Sequence, residues 1–76
     1  TRVSSQQKLS LSLEVGQRFS LLPLTPKVRG IYLSGAKWNL TDAELKLGES
    51  RGLSNVVVGG EIQLAVGEGV LLLTLG

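Results

Sequence analysis

The residues from Lys8 to Val15 alternate without a break, Leu9, Leu11, Leu13 and Val15 being apolar and Lys8, Ser10, Ser12 and Glu14 polar. A period of two places the four apolar side chains on one face of an extended strand, where a helix would scatter them around its circumference. No stretch of the chain shows a helical period. Glycine and proline break the chain at short intervals instead, at Gly16, Pro23, Pro26, Gly30, Gly35, Gly48, Gly59-Gly60 and the Gly67-Glu68-Gly69 turn. About seven short strands with turn signals every ~8–12 residues predict an all-β fold, a small antiparallel β-sandwich or barrel. The connections are too short for βαβ crossovers.

Particular segments sharpen this expectation. The extended stretch Arg18 to Leu24 runs into Pro23 and Pro26, and proline cannot donate to a ladder, so the strand lies at an edge or ends there. Two apolar stretches, Gly30 to Leu33 and Ala36 to Leu40, are separated by Ser34-Gly35, and Trp38 shares a face with Ala36 and Leu40. Thr41-Asp42-Ala43-Glu44 fits a capping box and predicts a single helical turn. Residues 49–55 read as a loop. Val56 to Val58, Gly59-Gly60 and Glu61 to Val66 read as a hairpin, two glycines supplying the positive φ of the favoured turns. The expected core comprises Leu11, Leu13, Val15, Trp38, Ile62 and Leu64. Residues 1–8, with Val3 as their one apolar side chain, are expected to form a flexible arm, leaving residues 9–76 as the folded domain.

A 76-residue chain buries only about 60% of the surface its unfolded form exposes, so the core is thin. The sequence contains no cysteine and no histidine, which excludes disulfides and thiolate or imidazole metal sites, and no cofactor is indicated. Proton transfer near neutral pH would fall to carboxylates, Lys or Tyr. Asp42 and Glu44 read as charges at a helix start, and none of the eight serines has a base partner or a nucleophile elbow. The four glycines between Gly59 and Gly69 feed strands and not a helix N-terminus, so they do not form a phosphate loop. The chain is expected not to be an enzyme. Asn39-Leu40-Thr41 matches a glycosylation sequon, which matters only in a chain secreted by a eukaryote. Met is absent, which leaves open a processed initiator or a fragment of a longer chain.

The net charge of +2 comes from eight basic residues spread singly, and the chain has one Phe, one Tyr and one Trp. Scattered charges and sparse aromatics argue against specific nucleic-acid binding. A small nucleic-acid-binding barrel would require Arg18, Lys27, Arg29 and Lys37 to converge near Tyr32 and Trp38. The longest apolar run is the four residues Val70 to Leu73, so membrane insertion is not expected and no signal segment is visible.

Three blocks of the chain together resemble the bacterial immunoglobulin-like domains of the group 2 type. Leu13, Val15, Gly16, Leu21 and Pro26 match the opening of that pattern, Trp38 its central strand, and Gly60, Ile62, Ala65, Val66, Gly67, Glu68, Gly69 and Leu73 its close. The middle, Leu40 to Val58, departs from the pattern. The resemblance implies an Ig-like β-sandwich used as a spacer or display module, found in bacteriophage virions and on bacterial surfaces.

Val70 to Leu73 adds a separate argument. Leu71 and Leu73 fall on one face and Val70 and Leu72 on the other, so a lone sandwich would leave one row against water. A protein partner, self or a larger scaffold, is expected at Val70, Leu71, Leu72 and Leu73. The combined expectation is a structural or decoration subunit of a larger assembly such as a phage capsid or tail, with an adhesin module as the alternative, located on a virion or a bacterial cell surface.

Overall fold

The computed structural model describes residues 1–47 and 53–76, and the chain is extended over most of them. The described residues form eight strands: β1 (Arg2–Val3), β2 (Gln7–Ser12), β3 (Arg18–Pro23), β4 (Lys27–Ser34), β5 (Leu40–Lys46), β6 (Leu53–Val56), β7 (Glu61–Val66) and β8 (Leu71–Leu75). They make two four-stranded sheets, β1-β8-β3-β6 and β2-β7-β4-β5, with every ladder antiparallel. The small antiparallel β-sandwich is therefore present. Among the described residues β4 and β5 are the one hydrogen-bonded pair that follow each other in sequence, and elsewhere the chain steps from one sheet to the other, as in a jelly roll.

Alternation selects the inner faces. Phe19 and Leu21 of β3, Ile62, Leu64 and Val66 of β7, and Leu71 and Leu73 of β8 are each exposed by 3% or less. Leu9 and Leu11 of β2, and Leu13 just beyond its end, pack against this core but are only partly buried, because β2 is the outer strand of its sheet. Val15 is not core. The strand ends at Ser12, Gln17 N–H donates to the Glu14 carbonyl across a turn, and Val15 at the turn is 69% exposed. Strand β3 is interior to its sheet and ends at Pro23, where the missing donor is tolerated.

Four other expectations are corrected. The N-terminal arm is part of the fold: Arg2 and Val3 pair with Leu72 and Leu71, and Val3 is buried. Gln7 and Lys8 already belong to β2, opposite Val66 and Ala65. The capping-box residues Thr41 to Glu44 lie within β5, not in a helical turn. Gly59-Gly60 joins β6 of one sheet to β7 of the other, so it is a corner between layers and not a hairpin turn. Leu53 to Asn55, read as loop, lie in β6, while residues 48–52 of that loop fall outside the described residues.

Paired bulges interrupt the alternation of β4 and β5. From Val28↔Leu45 to Ile31↔Ala43 the register advances three residues on β4 against two on β5; from there to Leu33↔Leu40 it advances two against three. Gly30 (φ 64°) and Asp42 (φ 47°) take the left-handed conformation that such bulges use, Gly freely and Asp with a short polar side chain that tolerates it. The first bulge returns Ile31 and Leu33 to the side of Val28, and all three are buried.

The apolar run Val70 to Leu73 is accommodated by β8 lying between β1 and β3. Leu71 and Leu73 face the core, while Val70 and Leu72 are half-buried on the outer side, Leu72 opposite both Leu22 and Arg2. Leu71→Lys should remove at least ~3 kcal/mol of stability and unfold the domain, as it deletes core packing and buries a charge. Leu72→Lys should stay within about 1 kcal/mol of wild type, because an outward lysine lays its stem on the sheet and keeps its head in water. Urea denaturation of the two variants checks the difference.

At Gly35 (φ 83°) a Cβ would fall on the Glu61 carbonyl oxygen, and the Gly35 carbonyl accepts from the Val58 and Gly59 N–H groups at 3.0 and 3.1 Å. The β4–β5 connection and the sheet-crossing segment at Gly59-Gly60 therefore meet backbone to backbone. Gly35→Ala should cost more than the ~1–3 kcal/mol of a strained backbone conformation alone. Gly16→Ala, also at positive φ (95°) but with nothing within 4 Å, should cost only that strain. Thermal melts of the pair separate the two contributions.

Candidate functional site

Residues 35–39 carry the chain from β4 to β5 and present Trp38. The expected core position is wrong for this residue: Trp38 is 55% exposed. Its main chain is nonetheless tightly held. Ala36 is buried and bridges Val57, and its N–H donates to Asn39 Oδ1 at 3.0 Å. Lys37 N–H donates to the Val56 carbonyl at 2.9 Å. Trp38 N–H donates to Asn55 Oδ1 at 3.1 Å, and Asn55 Nδ2 donates to the Trp38 carbonyl at 2.7 Å. Asn55 is 3% exposed, and its Oδ1 also accepts from Val56 N–H at 2.9 Å. A buried amide is thus taken up by satisfying the backbone of one residue at both its donor and its acceptor, much as a neighbouring strand would.

The result is an exposed indole on a fixed stem. Lys37 Nζ lies 4.8 Å from the centroid of the Trp38 ring, within the range in which an ammonium is attracted to an aromatic face. The sequence held a signal for this arrangement, since Trp38 stands between Lys37 and Asn39, three residues after Gly35. Its apparent alternation with Ala36 and Leu40 concealed it. Asn55 was missed because residues 49–55 were read as loop.

A concave feature lies on the outer face of the sheet β2-β7-β4-β5. It is an open groove of about 790 Å³, crossed by the rows Lys8–Ala65–Tyr32 and Ser10–Gln63–Ser34, with Asn39 and Thr41 at one end. Glu61 Oε1 accepts from Ser10 Oγ at 3.1 Å and from Gln63 Nε2 at 3.3 Å beside it. The basic residues do not converge there. Arg18 leaves β3 in the other sheet, Arg29 pairs with Glu44 at 3.5 Å, Lys46 approaches the same carboxylate at 3.8 Å, and Lys37 stands on Trp38. Among the described residues, Arg18, Lys27, Arg29 and Lys37 do not gather on one face beside Tyr32 and Trp38. Asp42 and Glu44 part company as well, Asp42 serving the bulge and Glu44 the ion pairs. Among the described residues no group of three or more acidic side chains could hold a metal ion, and no helix is long and apolar enough to cross a membrane.

Residues 6–71 match the family model described as thiamin pyrophosphokinase, vitamin B1 binding domain. The chain belongs to that family. Its fold is shared by solved thiamin pyrophosphokinases from Geobacillus thermodenitrificans (TM-score 0.86, 19% identity) and Bacillus subtilis (TM-score 0.82, 18% identity). Each alignment covers 95% of this chain and 34% of the other, so the chain spans about a third of the length of these structures. A comparison with curated proteins gives no match.

Membership of this family overturns the resemblance to bacterial immunoglobulin-like domains, and with it the phage-subunit and adhesin readings and the virion or cell-surface location. The residues that carried the resemblance explain the error. Gly16, Gly60, Gly67 and Gly69 lie at turns and corners that any small sandwich of short strands needs, and Ile62 and Val66 are inward positions of an ordinary strand. The expectation of a protein unconnected with catalysis is also revised, because the family is a domain of an enzyme.

Asn55→Ala should leave the Trp38 and Val56 backbone groups without their partner and destabilise the domain by about 1–3 kcal/mol for each group that water cannot reach. Asn55→Asp keeps the acceptor and loses the donor, so it should restore part of the stability. Chemical denaturation followed through Trp38 fluorescence checks both.

Proposed function

We propose that this chain recognises thiamin, as the vitamin-binding part of a pyrophosphokinase whose catalytic groups lie in the remaining two thirds of a protein of the relatives' length. The family match over residues 6–71 carries this reading. The side chain best suited to the task is Trp38. Thiamin joins a flat aminopyrimidine to a thiazolium ring with a permanent positive charge, and an indole face attracts both, by stacking and by its quadrupole.

Rigidity supports the same choice. A side chain whose backbone is already clamped by Asn55 loses little freedom on binding, so more of the contact energy appears as affinity. The outward residues Leu22 and Leu72 are proposed to meet the rest of such a protein, which narrows the partner surface expected at Val70 to Leu73 to its outward row.

Trp38 is the one tryptophan in the chain, so its emission reports directly on the site. Titration with thiamin should quench or shift it in a saturable way. Trp38→Ala should keep the β-sheet circular dichroism and weaken binding, measured by calorimetry, at least about tenfold, the loss of one good aromatic contact. Tyr32→Ala, in the groove, should bind as wild type does. Unchanged Trp38 emission at millimolar thiamin would overturn the assignment.

A further inference from the structure

The Lys37 ammonium stands over the Trp38 ring, 4.8 Å from its centroid, and both residues leave one backbone segment pinned to β6. One face of the indole is therefore already covered by a positive charge. We propose that Lys37 is a specificity-determining residue of the Trp38 site and makes it prefer the diphosphate ester of thiamin to thiamin itself. The inference rests on the reading of Trp38 as the thiamin-binding surface.

Charge decides the direction. Free thiamin brings a thiazolium cation and no anion, so stacking on the covered face means displacing Lys37 from the ring into the neighbourhood of a like charge. The diphosphate ester brings the same ring together with an anion, joined by the short hydroxyethyl chain of the vitamin. The ammonium can then move from the ring to a phosphate oxygen, exchanging a cation–π contact for a charge-assisted hydrogen bond and leaving the indole face to the thiazolium. Lys37 is exposed and carries a flexible four-carbon stem, so the exchange needs no backbone movement. Trp38 stays in place because Asn55 holds its N–H and carbonyl.

The test compares thiamin and thiamin diphosphate on the wild type, Lys37→Gln and Lys37→Arg by isothermal titration calorimetry, at low and at raised ionic strength. The wild type should favour the diphosphate at least about tenfold at low salt, and the preference should shrink as salt screens the pair. Lys37→Gln should weaken the diphosphate by about fivefold or more while thiamin binds as well or better, and Lys37→Arg should restore the preference. Equal effects of Lys37→Gln on both ligands, or none, overturn the proposal and leave the thiamin reading standing. Failure of the wild type to bind either ligand overturns both.

Discussion

The contact on which the molecule depends is the approach of two backbone corners at Gly35. The chain crosses between sheets at Gly59-Gly60, and the returning strand β7 brings the Glu61 carbonyl to a point where residue 35 has no room for a Cβ. With that room closed, Gly35 accepts two hydrogen bonds from the opposite corner, Ala36 is carried into its bridge with Val57, and Lys37 and Trp38 fall beside β6. Asn55 then completes the pairing that a regular strand would have made. The exposed tryptophan is thus a consequence of how the two layers are joined, and its stiffness comes from the core beneath it.

Strands with one clean parity were readable from their residues. Ile62, Leu64 and Val66 alternate with Glu61, Gln63 and Ala65, and the buried set follows that order. Where the structure inserts a residue, the pattern misleads. Gly30 and Asp42 each shift the phase by one, so that the apolar positions of β4 and β5 are spaced by three and then by two. A spacing of three near Thr41 and Glu44 imitates a helix start, and only the partner strand distinguishes the two. Non-local pairing escaped in the same way. Nothing in residues 1–8 announces that Val3 will lie opposite Leu71, because the signal sits at the far end of the chain. Glycine pairs mark a change of direction without saying whether the next strand stays in the same sheet.

The apolar stretch Val70 to Leu73 shows how far a local inference can reach. Its double parity did require cover on both sides, and the fold supplies cover on one side outright and on the other in part. Inside, Leu71 and Leu73 meet the opposing sheet. Outside, Leu72 lies between Leu22 and Arg2 within its own sheet and is only half-buried. The supposed free arm removes the edge, since β1 pairs along β8. A strand that looked like a template for another molecule is thereby made interior by its own N-terminus.

The placement of aromatics separates structure from recognition. Phe19 is buried between the sheets, while Tyr32 and Trp38 are 48% and 55% exposed, although the core of so short a chain is small and would gain most from its largest side chain. Leaving the indole in water forgoes that gain. The buried amide of Asn55 adds to the cost, because it occupies interior space with a polar group whose hydrogen bonds among the described residues serve the backbone at Trp38 and Val56. A side chain kept out of the core and held still by a polar group buried within it is poorly explained as packing. The proposed stiff presentation of an aromatic face to a flat, cationic ligand would account for both features, and the ammonium of Lys37 rests on the face that the proposal assigns to that ligand.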